Sequence, residues 1–367
     1  MKRIGCFIFL IVLVVGGAAG LYYWNFYNKA INTANNGPSE QKIVTINQGA
    51  TVEDINTLLV SEGIIKDEKF PNGMTVFKVY SVINKLDSKY QAGTYFLPQN
   101  ESVKQIADSI QKSKDELINV TIKEGLRIEE FGDAINVALN SAVNTKYSKF
   151  NKDDFIKLAK NYTNNDGKYE FLKTRPAGIT TLEGFLYPDT YFVTRDASSQ
   201  MMIDLLLQTF DVKVYQPYKG QIQNNKYTVF ELVTLASIVE REVNSDDDRA
   251  MVADILFRRL VNDDLGRKLE TDATLLYVLG NEKIGWWKAE LNYTTLQTKS
   301  PYNGRLTPGL PPTPIASPSL SSFKAVLSPK ANDYIFYITG DDGKTYYAKT
   351  PGQHQSNIDK YCKILCR

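Results

Sequence analysis

The stretch LASIVEREV, from Leu235 to Val243, closes a segment that decides how the second half of the chain folds. Thr228 and Glu231, just before it, have the spacing of a capping box, which predicts that a helix begins there. At 100° per residue, apolar side chains centre one face of this helix. They are Val229, Leu232, Leu235, Ala236, Val239 and Val243. The pattern predicts a core helix whose last turn carries three charged residues.

The two glutamates of that last turn lie at opposite edges of the apolar face. Glu242 follows Ile238 by four residues and Glu240 follows Ala236 by four, whereas Arg241 points away towards solvent. A carboxyl beside apolar surface has a raised pKa, because burial disfavours its charged form, so it becomes a candidate general acid near neutral pH. An edge glutamate also commonly reaches water or pairs with an arginine. Helical geometry alone leaves these interpretations open, and it does not choose between the two glutamates.

Composition excludes several classes of function. The chain has 367 residues, enough for two or three domains. Its 43 basic and 41 acidic residues give a net charge of +2, so there is no electrostatic case for binding nucleic acid. The single histidine, His354, leaves little room for a zinc site or for a nucleophile that needs a histidine base. We therefore expect no cofactor and no metal, and catalysis by carboxylates.

The N-terminus predicts a membrane anchor. After a cytoplasmic stretch of residues 1–3, the segment from Ile4 to Trp24 runs 21 residues without a charge, enough to span a hydrocarbon core of about 30 Å. Lys2 and Arg3 favour a cytoplasmic N-terminus with the rest of the chain outside. The small residues Gly16–Gly20 also fit a cleavable signal peptide, but the apolar run continues past them. Residues 25–42 are polar and predict a tether.

Three segments repeat one pattern of strand, turn and helix. They are Val44–Leu59, Tyr95–Ile110 and Val120–Ile135, with Gly49, Asn100 and Gly125 at turn positions suited to a positive φ. The first two predict a βααβ module over residues 43–118, similar in layout to the LysM fold that binds N-acetylglucosamine polymers. A packing domain that binds nothing fits the same layout. The third segment begins a second domain, residues 119–367.

Further candidate residues lie in three other places. TLEGFLYPDTYFV, from Thr181 to Val193, sets Glu183 and Tyr187 among aromatic rings, a composition that suits sugars and equally suits a tyrosine-rich core. Asp272 precedes an apolar helix that it or Thr271 caps. The proline-dense loop SPYNGRLTPGLPPTPIASP, residues 300–318, is long for an ordered loop and so predicts a function. Its candidate ligand contacts are Tyr302, Asn303 and Arg305.

Two expectations concern the C-terminal part. DYIFYITGDDGKTYYAKT alternates around a Gly-Asp-Asp-Gly turn and predicts a hairpin, with His354 in a loop after it. Cys362 and Cys366 lie four apart and are able to pair outside the cell.

Four motifs in this order, LEGFLYPDTY, LASIVEREV, LETDATLLY and the proline-dense loop, resemble the endolytic murein transglycosylases of the MltG (YceG-like) family. The resemblance implies a single-pass protein of the bacterial inner membrane with its catalytic domain outside the cytoplasm. It implies cleavage inside nascent peptidoglycan strands, which leaves 1,6-anhydro-N-acetylmuramic acid ends and terminates elongation. The family's acid, the second glutamate of its S-I-(I/V)-E-x-E motif, corresponds to Glu242.

The resemblance also sets the expected architecture and partners. The fold class is α+β: one transmembrane helix, the LysM-like βααβ module, and an α+β YceG-like catalytic domain. Peptidoglycan strands and the membrane are expected partners, and peptidoglycan synthases are candidates. The residues expected to bind substrate or support the acid are Glu183, Glu240, Asp272, Asn303, Tyr302 and Tyr187. The chain departs from the family pattern at Gly304-Arg305, after Asn303, and at Glu270 and Ala273, around Thr271-Asp272.

Two other functions fit the same residues. One is a noncatalytic, membrane-tethered peptidoglycan-binding scaffold of the cell-wall machinery. The other is a hydrolytic muramidase, which adds water instead of closing the anhydro ring.

Overall fold

The computed structural model describes residues 2–35, 41–70, 72–111, 117–140, 148–165 and 167–363. The helices are α1 (Lys2–Asn32), α2 (Val52–Ser61), α3 (Val76–Ile83), α4 (Val103–Ser109), α5 (Ile128–Leu139), α6 (Lys152–Lys160), α7 (Ser199–Phe210), α8 (Gln216–Gln223), α9 (Val229–Glu242), α10 (Asp246–Val261), α11 (Asp272–Leu279), α12 (Tyr293–Leu296), α13 (Leu320–Leu327) and α14 (Pro351–Tyr361). The strands are β1 (Gln41–Ile46), β2 (Gly93–Pro98), β3 (Leu117–Thr121), β4 (Thr190–Thr194), β5 (Phe336–Thr339) and β6 (Thr345–Ala348). The predicted mixture of helices and small sheets, the α+β class, is confirmed.

The strands pair in twos within the described part of the chain: β1 with β2, β3 with β4, and β5 with β6. The first pair is antiparallel, with Val44 opposite Tyr95. The last pair is the predicted C-terminal hairpin, with Tyr337 opposite Tyr347.

The chain divides into two compact units. Unit 1 consists of Met1–Asn119 with Tyr191–Asp196, and unit 2 of Val120–Thr190 with Ala197–Arg367.

Unit 1 contains the order β1-α2-α3-β2, which is the predicted βααβ layout. Its core is apolar and includes the fully buried Leu59, Phe77 and Ile106. Thr51 and Ser102 form capping boxes at the starts of α2 and α4, so local sequence sets both helix starts. The resemblance to LysM and any glycan binding by this module remain predictions.

The repeated turns differ in backbone conformation. Gly49 and Gly125 have φ of 82° and 73°, as expected for glycines in these positions. Asn100 is not among the residues with positive φ, so that expectation was wrong. A left-handed conformation costs a residue with a Cβ more than it costs glycine, and the turn before α4 forms without it.

Helix α1 is longer than the sequence predicted. It continues to Asn32, through the first part of the segment expected to be a tether. Tyr27 and Ile31 are 7% exposed each and belong to the apolar core of unit 1, and this burial explains why the helix continues. Among the described residues, no helix combines the length and the apolar character needed to cross a membrane.

Helix α9 is the centre of unit 2. It begins at the predicted capping box, in which the Thr228 side chain accepts from the amide of Glu231. Every residue from Leu232 to Val239 is buried, so the expected solvated side is absent. Thr234 and Ser237 tolerate burial because their hydroxyls donate to carbonyls of the helix itself, those of Phe230 and Thr234.

Two C-terminal features complete the fold. His354 lies in α14 and not in a loop, because Thr350 caps a helix that has Pro351 at its first position. Its ring stacks on Phe336. Cys362 is disulfide-bonded, and Cys366 lies outside the described residues.

Candidate functional site

The site is built around Glu242, the last residue of α9. The hydroxyl of Tyr337, on β5, donates to Glu242 Oε2 at 3.0 Å. The amide of Ala273, in the first turn of α11, also donates to this carboxyl. Three elements that are distant in sequence therefore meet at one carboxyl.

Burial raises the pKa of Glu242 to about 7, and the nearby negative charge of Asp272 acts in the same direction. The bonds from Tyr337 and Ala273 and the charge of Arg305 act in the opposite direction. The carboxyl group is buried, although Glu242 as a whole residue is partly exposed. A carboxyl with this pKa exists in both protonation states at neutral pH, so it is able to give up and take back a proton.

Asp272 and Arg305 form an ion pair beside Glu242. Asp272 is the first residue of α11 and Arg305 belongs to the proline-dense loop. Thr271 occupies the N-cap position, but its side chain makes no capping bond. The structure thus brings together two of the predicted carboxylates, Glu242 and Asp272, and one of the predicted loop residues.

Glu240 points to a different neighbourhood. One of its oxygens, Oε2, accepts from the amide of Ser319 at 2.9 Å and from the hydroxyls of Ser319 and Ser322 at 2.5 and 2.6 Å. The other oxygen, Oε1, accepts from Arg249 at 3.4 Å. Ser319 is the N-cap of α13, so Glu240 fixes the junction between the proline-dense loop and that helix.

Glu183 is a second buried carboxyl of unit 2, 1% exposed. It accepts from the amide of Ile128 at 3.2 Å and from the hydroxyl of Tyr277 at 3.0 Å. Burial raises the pKa of Glu183 to about 8, and the charge of Glu129 adds to this, while Arg127 opposes it. Glu183 was expected either to bind substrate or to support the acid. Because protein encloses its side chain, the geometry favours the supporting role.

Arg127, the residue before α5, is the centre of a buried network. Its Nε donates to Glu129 at 2.7 Å, and Lys160 donates to the same carboxylate at 2.6 Å. Burial opposes ionisation of Glu129, but these two cations outweigh it and lower the pKa of this group. The guanidinium lies 4.1 Å from the centre of the Tyr277 ring and 4.6 Å from that of Trp286.

Gly184 allows the segment around Glu183 to pack closely against the proline-dense loop. Gly184 has a φ of +84°, and a Cβ on it would lie 2.5 Å from Pro314 and 2.9 Å from Val233 of α9. Only glycine allows this turn to approach both elements so closely. The turn at Gly184 therefore has a packing reason.

The other predicted loop residues are held by the protein itself. Asn303 is fully buried, its amide donates to the carbonyls of Leu296 and Thr298, and its oxygen accepts from the amide of Arg305. Tyr302 is half-buried and shares a hydrogen bond of 2.8 Å with Thr313. Asn303 thus shapes the loop.

Tyr302 and Tyr187 lie in different surroundings. The ring of Tyr302 lies 5.3 Å from that of Tyr277, which links it to the Glu183 neighbourhood. Tyr187 is buried, and the ammonium of Lys213 lies 5.8 Å from its ring. Burial raises the pKa of Tyr187 to about 12, with Asp189 and Glu124 adding to the effect.

Sequence reasoning missed Tyr337, Tyr277 and the buried role of Arg127. Tyr337 lies in a stretch whose alternation predicted the hairpin correctly, but alternation does not say which element the inward face meets. Tyr277 lies five residues after Asp272, on the same predicted helix. The signal for both was a polar tip on an aromatic ring inside an otherwise apolar pattern.

Comparisons with known proteins agree on one family. The sequence model of the YceG-like family matches residues 44–360. A protein of Bacillus subtilis (strain 168) named endolytic murein transglycosylase is 30% identical over 358 residues, which cover 95% of this chain and 91% of the relative. A protein of the same name from Streptococcus pneumoniae (strain D39) is 27% identical over 96% of this chain, which spans 64% of that longer relative.

A solved structure agrees with this result. The crystal structure of a yceG-like protein from Listeria monocytogenes superimposes with a TM-score of 0.54 at 29% identity, and the match covers 87% of this chain and 99% of the other. The chain therefore belongs to the YceG-like family.

Proposed function

We propose that this chain is an endolytic lytic transglycosylase. It cleaves the bond between N-acetylmuramic acid and N-acetylglucosamine inside nascent peptidoglycan strands, and the 1,6-anhydro ends that it leaves terminate elongation. The observation that carries the proposal is the carboxyl of Glu242, with a pKa near 7, in a chain whose curated relatives are named endolytic murein transglycosylases.

Glu242 supplies both proton transfers. In its protonated form it donates to the glycosidic oxygen, so the bond to C1 breaks and an oxocarbenium-like state develops. The C6 hydroxyl of the same muramic acid then attacks C1, and its proton returns to the Glu242 carboxylate. The cycle ends with Glu242 protonated as at the start, and no water is consumed.

The surroundings of Asp272 support a lytic reaction over a hydrolytic one. A retaining hydrolase needs a second carboxylate as nucleophile, and an inverting one needs a carboxylate that activates water. Asp272 is the carboxylate that acts most strongly on Glu242, but it forms an ion pair with Arg305. Oxygen Oδ1 of Asp272 is occupied by the guanidinium of Arg305, so the favoured role of Asp272 is to keep Glu242 protonated.

The test is digestion of purified glycan strands by the full chain in detergent, with mass spectrometry of the ends. Anhydro ends are expected. Reducing ends would replace the proposal with a muramidase, and intact strands would replace it with a noncatalytic scaffold.

Replacing the acid tests its role. Glu242→Gln is expected to lower the rate of cleavage by about 10²–10⁴-fold, the usual contribution of a general acid. The exposed Asp264 provides a matched control, because Asp264→Asn also removes a carboxylate from unit 2. Full activity in folded Glu242→Gln would remove Glu242 from the mechanism.

We further propose that residues 4–24 anchor the chain in the bacterial inner membrane and that residues 119–367 act outside the cytoplasm. The LysM-like module, residues 43–118, then lies where it is able to meet glycan, and peptidoglycan synthases are candidate partners. Protease added to intact spheroplasts is expected to degrade the ectodomain. Protection of the whole chain, or its release by alkaline carbonate, would contradict the anchor.

A further inference from the structure

One face of β5 meets the C-terminal end of α9. Tyr337 and Thr339 are two residues apart, so their side chains project from the same face of the strand. The hydroxyl of Tyr337 donates to Oε2 of Glu242 at 3.0 Å, and the hydroxyl of Thr339 lies 3.5 Å from the carbonyl oxygen of the same residue. The strand therefore contacts both the side chain and the backbone of Glu242.

The hairpin that carries Tyr337 is held in place by α10. Arg259 donates to the carbonyl of Ile335 at 3.3 Å, just before β5. Tyr347, opposite Tyr337 in the hairpin, donates to Asp248 in the first turn of α10. Because these contacts do not involve Glu242, the position of Tyr337 is fixed independently of the carboxyl that it contacts.

A carboxyl group has two oxygens, and rotation about its last torsion exchanges them at little cost, because that torsion is broad and roughly two-fold. A general acid works best when the oxygen that bears the proton faces the leaving group. A fixed donor on one oxygen favours one orientation, since the unprotonated oxygen of a carboxylic acid is the better acceptor. The amide of Ala273 also donates to this carboxyl.

We propose that Tyr337 is a positioning residue that fixes Oε2 of Glu242 as a hydrogen-bond acceptor and so leaves Oε1 to carry the proton for the glycosidic oxygen. This inference rests on the proposed function, because it assigns an orientation to the acid of that reaction.

The same bond acts on the energy of the proton transfer. When Glu242 loses its proton, a neutral hydrogen bond from Tyr337 becomes a bond to a carboxylate, which is roughly twice as strong. Burial and the charge of Glu242 hold the pKa of Tyr337 well above its ordinary value, so Tyr337 stays a donor throughout the cycle. Tyr337 thus favours the ionised form that Glu242 takes as the glycosidic bond breaks.

The test compares Tyr337→Phe with the wild-type full chain over a range of pH. The phenylalanine variant is expected to lower kcat about tenfold, with KM nearly unchanged, and to move the alkaline limb of the kcat profile up by about one pH unit. A merely structural residue would not move that limb. Tyr346→Phe is the matched control, since Tyr346 lies on β6 of the same hairpin and its hydroxyl donates to Asp342.

A wild-type rate and pH profile in Tyr337→Phe would overturn the inference, and so would a loss of rate without a shift of the limb. If the phenylalanine variant does not fold, 3-fluorotyrosine at position 337 keeps the shape and is a stronger donor. It is expected to move the alkaline limb down, and an unmoved limb would again overturn the inference. Failure of the proposed function is distinguishable, because it would appear in the wild-type chain as reducing ends or intact strands, or as full activity in Glu242→Gln.

Discussion

The two glutamates at the end of α9 are two residues apart and have opposite surroundings. Glu240 accepts from a backbone amide, two serine hydroxyls and an arginine. Glu242 accepts from Tyr337 and Ala273, and its strongest charged neighbour is another carboxylate, Asp272.

This difference teaches what separates a structural carboxylate from a reactive one. Burial alone does not, since both side chains lie against the same helix end. Donors and cations stabilise a negative charge, whereas burial beside a like charge disfavours it. Glu240 therefore holds the loop in place, and Glu242 is able to change its protonation state.

Removing Glu240 is expected to have the largest effect on stability. Glu240→Ala leaves the Ser319 amide, two hydroxyls and Arg249 without their acceptor, so the free energy of unfolding is expected to fall by about 2–4 kcal/mol. Denaturant titration measures this change.

The contrast between Glu240 and Glu242 would be wrong if a substitution of Glu242 lowered the free energy of unfolding as much as a substitution of Glu240. Glu242→Gln removes a poorly stabilised charge and is expected to leave the free energy of unfolding unchanged or slightly higher. Equal losses at positions 240 and 242 would show that both carboxylates are structural.

Removing the like charge beside Glu242 is expected to have an intermediate effect, visible in the pH profile. The wild-type rate requires protonated Glu242, so it is expected to fall as pH rises through about 7. Asp272 raises the pKa of Glu242 and Arg305 lowers it. Asp272→Asn removes the first influence and leaves Arg305 unpaired, so the alkaline limb is expected to move to lower pH. An upward movement would contradict the assignment of Asp272, and Asp264→Asn should leave the limb in place.

Removing one donor to Glu240 is expected to have the smallest effect. Ser322 is fully buried and donates to Glu240, so Ser322→Ala is expected to cost about 1 kcal/mol of unfolding free energy. Ser321, the preceding residue, donates to Asp246 at an exposed position, so Ser321→Ala is expected to stay within about 0.5 kcal/mol of the wild type. A larger loss at Ser321 than at Ser322 would contradict the structural role of the Glu240 neighbourhood.

Much of the fold follows from short-range sequence signals. The capping box at Thr228, the repeat of strand, turn and helix, and the C-terminal hairpin each depend on residues within a few positions of one another. Periodicity also placed both glutamates at the end of α9. The backbone conformation of Asn100 was harder to predict, because several turn conformations are able to connect a strand to a helix. The continuation of α1 was also harder to predict, because a polar segment became helical when tertiary contacts buried two of its residues.

The distinct surroundings of the glutamates were beyond local sequence reasoning. One donor to Glu242, Tyr337, is 95 residues away, and the serine donors to Glu240, Ser319 and Ser322, are 79 and 82 residues away. Helical angles say where a side chain points, but not which distant residue it meets. The resemblance to a family selected Glu242 before any such contact was known.

The turn at Gly184 has a consequence for tolerance to sequence change. A side chain at position 184 would meet both a strained backbone, at φ +84°, and the ring of Pro314. A smaller residue at position 314 would relieve only part of the crowding there, because Val233 also lies within 3 Å of the added Cβ and the backbone strain would remain. No single compensating substitution is thus able to restore this packing. The sequences of the motif LEGFLYPDTY and of the proline-dense loop are therefore expected to change together or not at all.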